Sequence, residues 1–68
     1  MNHLNKLFIL RKLDDLMEFE YNEMCEYSAM PTCSEPKKGF ETQYGYHRKK
    51  IQLIQSAINH IYFSFYNL

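Results

Sequence analysis

From Tyr44 to Leu68 the chain steps by three and four residues through Tyr44, His47, Ile51, Ile54, Ile58, Ile61, Phe65 and Leu68. That spacing places these positions along one face of a helix, and a mean step of 3.5 is the period of a coiled-coil-like seam. A stripe of isoleucine in water is unstable unless something covers it. The rest of the chain is therefore read as the cover. The strand propensity of Ile61-Tyr62-Phe63-Ser64-Phe65-Tyr66 competes locally, but the alternation continues through Phe65 and Leu68 and favours helix.

Residues 2–28 carry a matching stripe. Leu10, Leu13, Met17, Tyr21, Met24 and Tyr27 recur at helical spacing, with Leu7, Ile9 and Leu16 beside them. Asn2 or Asn5 is suited to cap the start, because a short polar side chain accepts from the exposed amides of a first turn. Arg11, Asp14, Asp15, Glu18 and Glu26 occupy the far side. Phe8 and Phe19 stand three turns apart on a second face. Met30 precedes Pro31, a position that disfavours helical geometry, so the helix is expected to end near Ser28 or Ala29.

The segment 30–40, M-P-T-C-S-E-P-K-K-G-F, reads as a turn-rich connection. Ser34 is placed to cap a short helical turn holding Pro36. The segment is longer than a tight helical hairpin needs, about 2–8 residues, and the excess reads as slack. The second helix is then expected from about 41 to about 67, with Gly45 weakening its first turn.

Charge supplies the topology. The first helix carries six acids (Asp14, Asp15, Glu18, Glu20, Glu23, Glu26) against Lys6, Arg11 and Lys12. Residues 35–50 carry Lys37, Lys38, Arg48, Lys49 and Lys50 against Glu35 and Glu41. Glu23 and Glu26 late in one helix and Arg48, Lys49 and Lys50 early in the next both oppose the helix dipole. An antiparallel hairpin sets the two groups side by side, where each offsets the other.

The expected fold is thus all-α: one domain, an antiparallel helical hairpin with helices at about 2–28 and 41–67 joined by about 30–40. Its expected core is Leu10, Leu13, Met17, Tyr21 and Met24 against Ile51, Ile54, Ile58, Ile61 and Phe65. Sixty-eight residues make a thin core, and chains below about 70–80 residues usually need a disulfide, a metal or a second copy. Apolar residues also remain once one seam is used: Phe8, Ile9, Leu16 and Phe19 on the first helix, Leu53, Ala57, Tyr62, Phe63 and Tyr66 on the second. A homodimeric four-helix bundle covers them most simply. A foreign protein on the same surplus face is the competing reading.

Signatures of chemistry are missing from the pattern. The chain has no nucleophile elbow, phosphate-binding glycine loop, H-E-x-x-H or dinucleotide fingerprint, and Asp14, Asp15, Glu18, Glu20 and Glu23 read as solvated. No catalytic, cofactor or metal residues are therefore expected. Cys25, Cys33, His47 and His60 lack the close pairs of a zinc site and read as packed thiols and imidazoles; a Cys25–Cys33 disulfide closing the end of the first helix, in an oxidising compartment, is the minor reading. Reduced cysteines, with no secretory leader visible, imply the cytoplasm. Residues 51–68 hold no charged side chain, yet Gln52, Gln55, Ser56, Asn59, His60, Ser64 and Asn67 interrupt them too regularly for a membrane span.

The functional expectation is a small non-enzymatic interaction protein that dimerises and modulates a protein partner, with a size and character common among phage and mobile-element accessory factors. The alternative is a small nucleic-acid-binding regulator using Arg48, Lys49 and Lys50, with Tyr44 and Tyr46 near enough to stack on bases. Eight Lys and Arg against eight Asp and Glu give no global field toward a polyanion, which favours the first reading.

Overall fold

The computed structural model describes residues 3–66, with side chains described for 4–64. Two helices account for most of it: α1, His3–Glu26, and α2, Glu41–Tyr66. They pack against each other along their length as an antiparallel hairpin, and no strand is formed among the described residues. The hairpin is a rod of 46 × 17 × 16 Å.

The seam has two apolar clusters in series. Leu10, Ile54 and Ile58 are buried toward the open end, with Leu13, Met17 and Ile61 packed on them. Met24, Cys33 and Tyr44 are buried toward the loop, with Cys25, Tyr27 and Ile51 around them. The side chain of Phe65, expected in this seam, lies outside the described residues. Tyr21, also expected there, is 47 % exposed. It sits at the edge of the stripe rather than inside it.

Helix α1 ends at Glu26, two residues before the sequence expectation. The Tyr27 and Ser28 amides donate to the Met24 and Cys25 carbonyls at 3.0 and 3.1 Å. These bonds reach back three residues rather than four, which tightens and closes the helix. At the start of α2, Glu41 stands in the first turn, where a carboxylate suits the dipole.

The connection is not slack, and no helical turn forms at Ser34–Pro36. Residues 27–29 and 35–37 run antiparallel in a short ladder. The Ala29 amide donates to the Glu35 carbonyl at 3.0 Å, and the Lys37 amide donates to the Tyr27 carbonyl at 2.7 Å. The Ser28 hydroxyl bridges to the Met30 and Glu35 carbonyls, both at 2.9 Å. Residues 30–33 turn back on a bond from the Cys33 amide to the Met30 carbonyl, 3.0 Å, with Pro31 supplying a preset φ. Residues 37–40 turn again, with Gly39 at φ +93°, a third-position conformation that glycine adopts freely.

The expectation of reduced thiols is overturned. Cys25 and Cys33 form a disulfide across this loop, with Cα atoms 4.9 Å apart. The antiparallel ladder returns residue 33 to the last turn of α1, which decides for the minor of the two sequence readings. Cys33 itself stands at φ +58°, unusual for a residue with a Cβ. The disulfide and a bond from the Tyr44 hydroxyl to the Cys33 carbonyl, 2.7 Å, hold it there.

Candidate interaction surface

The most constrained polar group in the hairpin is Glu20. The sequence reading placed it with the solvated acids, but its side chain is 2 % exposed. It lies three residues after Met17 and four before Met24, so it faces the seam. His47, on the stripe of α2, meets it: Nδ1 sits 2.6 Å from Glu20 Oε2. Lys50, one turn on, places Nζ 2.9 Å from Oε1. The carboxylate accepts both bonds, so His47 Nδ1 carries the proton. Glu20, His47 and Lys50 therefore make the compensation that charge patterning anticipated. It is carried by Glu20 rather than by Glu23 or Glu26.

Burial pushes the Glu20 carboxyl upward, but the hydrogen bonds and charges of His47 and Lys50 outweigh it and hold the group below its ordinary value. Lys50 is raised above its ordinary value, first by its bond to Glu20. Aromatic rings wall this cluster. Tyr27 stacks on His47 at 5.9 Å and on Phe40 at 5.7 Å, Tyr46 meets His47 edge-on at 5.3 Å, and Lys50 Nζ lies 4.4 Å above the Tyr46 ring. This is an anchoring arrangement. The carboxylate has its charge neutralised, and neither oxygen is presented to a substrate.

On the opposite flank of the loop end lies an open cleft of about 390 Å³, lined by Tyr21, Met24, Cys33, Ser34, Tyr44, Arg48, Ile51 and Gln52. Its floor is apolar and its rim carries Arg48. The cysteines are bonded to each other, so neither thiolate is available to a metal, and no group of three metal-ligating side chains occurs among the described residues. Of the candidate nucleic-acid residues, Arg48 and Lys49 are exposed, while Lys50 is tied to Glu20.

Many large apolar side chains stand outside the seam. Leu4, Leu7, Phe8, Leu16, Phe19, Leu53, Tyr62 and Phe63 are all exposed, with Leu53 at 62 % and Phe19 at 56 %. Phe8 is partly covered by Lys12, whose Nζ lies 5.4 Å from the ring centre. The accessible surface totals 5344 Å². A compact monomer of 8.3 kDa exposes about 4,600 Å². The radius of gyration, 14.5 Å, also exceeds the roughly 11 Å of a compact chain of this length. No described helix is long and apolar enough to cross a membrane. No protein-family model, curated protein or solved structure matches the chain.

Proposed function

We propose that this chain is a small non-enzymatic interaction protein that dimerises as a four-helix bundle and modulates a protein partner. The observation that carries this reading is the set of large apolar side chains left exposed on a hairpin whose seam is already packed. Each fully buried leucine or phenylalanine is worth about 1.5–3 kcal/mol, so a solvated surface of this kind favours association.

The loop supports the second half of the proposal. Once the helix faces are taken by a second copy, the stapled loop is the surface left to meet another protein. Met30, Pro31 and Thr32 are exposed at its tip, and the ladder and disulfide hold them in one shape. A preshaped tip loses little conformational freedom on binding. The Cys25–Cys33 bond supports work in an oxidising compartment, so the cytoplasmic location suggested by free thiols loses its argument. The nucleic-acid alternative is weakened because Lys50 already neutralises Glu20.

Sedimentation equilibrium over a wide concentration range, in non-reducing buffer, tests the reading. A reversible dimer is the expected outcome. A monomer at all concentrations removes the dimeric half. A mobility shift on nucleic acid at low salt, weakening steeply as salt rises, would replace the protein-partner half.

A further inference from the structure

Resting on the protein-partner half of that reading, we infer that the cleft at the loop end grips the partner, and that it takes a segment presenting an aromatic side chain beside a carboxylate. Three parts of the chain build this cleft. Tyr21 and Met24 come from α1, Cys33 and Ser34 from the connection, and Tyr44, Arg48 and Ile51 from α2. Tyr44, Arg48 and Ile51 are spaced by four and three residues, so they stand on one face of α2. The loop wall is held from two sides, by the Cys25–Cys33 disulfide and by the Tyr44 hydroxyl donating to the Cys33 carbonyl at 2.7 Å. The concavity is thus present before anything enters it, and little conformational freedom is lost on filling it.

The lining selects the occupant. Met24, Cys33 and Tyr44 are buried and Ile51 is half-buried, so the floor is apolar. A thioether and an aromatic ring in that floor suit a ring above them, because sulfur–aromatic and ring–ring contacts add to apolar burial. Arg48 is the one charged residue in the lining. Among the described residues it makes no ion pair and no hydrogen bond, whereas Lys50 is held by Glu20 and Tyr46. An unpaired guanidinium beside an apolar floor is matched by a carboxylate close to a ring, which it binds through two parallel hydrogen bonds. The cleft is open, at about 390 Å³. A free small molecule holds by burying most of its surface, whereas a side chain carried by a larger partner also gains from contacts outside the cleft. Such contacts are at hand: Ser34, in the lining, continues into exposed Met30, Pro31 and Thr32.

The test is an NMR titration, read at the Met24 methyl and the Arg48 side chain, with the blocked tetrapeptide glycine–phenylalanine–glutamate–glycine. Saturable shifts at both groups are expected at millimolar concentration. Glutamine for the glutamate of the peptide, or Arg48→Gln in the protein, should each weaken binding by about tenfold or more, with no further loss when the two are combined. Alanine for the phenylalanine should abolish the Met24 shift. No saturable shift with any peptide, or shifts indifferent to both glutamine changes, would overturn the inference. The peptide-side change needs no protein variant, so the answer survives a misfolded Arg48→Gln. Tighter binding by N-acetyl-phenylalanine, a free acid, would give the cleft to a small molecule and overturn its assignment to a partner. A short single-stranded oligonucleotide joins the same series. If it binds at low salt and no peptide does, the protein-partner reading falls together with the cleft; if neither binds, the cleft alone is wrong.

Discussion

The two ends of this hairpin are held by different physics. At the loop end a disulfide, an antiparallel ladder, a buried carboxylate with two basic partners and four interacting rings converge within a few turns. At the open end Leu10, Ile54 and Ile58, with Leu13, Met17 and Ile61, form an apolar cluster. Directional bonds specify one arrangement and resist sliding. Apolar packing supplies free energy but is indifferent to small shifts. A chain of this size cannot build a thick core, and its loop end gathers a disulfide, a ladder and an ion-paired carboxylate where the two helices are turned and aligned.

The largest effect is expected from breaking the apolar half. Ile58 is buried, so Ile58→Asp places an unpaired carboxylate in the cluster. A loss of several kcal/mol, comparable to the whole stability of a small domain, should appear as a collapse of the helical signal. Retained helicity at native size would show that the seam does not carry the fold. Removing the staple is next. Cys25→Ser with Cys33→Ser opens a short covalent loop worth about 2–3 kcal/mol in chain entropy. Thermal unfolding should move down accordingly. Hydrogen exchange should rise mainly at 27–40, with the Leu10–Ile58 cluster losing less; uniform loss would erase the contrast between the ends.

The polar anchor comes third. His47→Ala leaves Glu20 Oε2 without its partner inside the protein, at a cost of about 1–3 kcal/mol. The same cluster predicts a pH profile. Glu20 is held below about 4.5, so its contribution is complete above that pH and is lost as pH falls through the lower folded-state value. Lys50 is held above about 10.5, so its contribution is present below that pH and is lost as pH rises through the higher folded-state value. Urea midpoints across pH should therefore show both edges, and His47→Ala should flatten the acid one. Gly39→Ala is expected to be the mildest. A Cβ there meets nothing within 4 Å, so only the backbone at φ +93° resists, at about 1 kcal/mol.

Much of the fold is legible in the sequence. The three-and-four spacing of Met17, Met24, Ile51, Ile54 and Ile58 announced two facing helices. The run of late acids and early bases announced their antiparallel sense. The candidate surface was half readable. Leu16 and Leu53 were recognised as surplus to the seam, but how far each is exposed follows from the rotation of each helix about its axis. Glu20 was misplaced although its position between Met17 and Met24 signalled burial. The type of side chain argued for solvent, and only a basic partner across the seam reverses that cost. His47, already on the α2 stripe, was the available clue.

The sequence by itself determined the helices, their pairing and their antiparallel sense, because periodicity and charge order are properties of the chain taken one turn at a time. Only the tertiary structure decided that Cys25 and Cys33 join, that the loop is laddered, that Glu20 is buried against His47 and Lys50, and that Tyr21 stays at the rim. Each of those depends on a distance between residues that the loop brings together or on how far each helix is turned about its axis. A few ångströms or a fraction of a turn alters none of the periodicity, yet it separates a bonded pair from two solvated side chains.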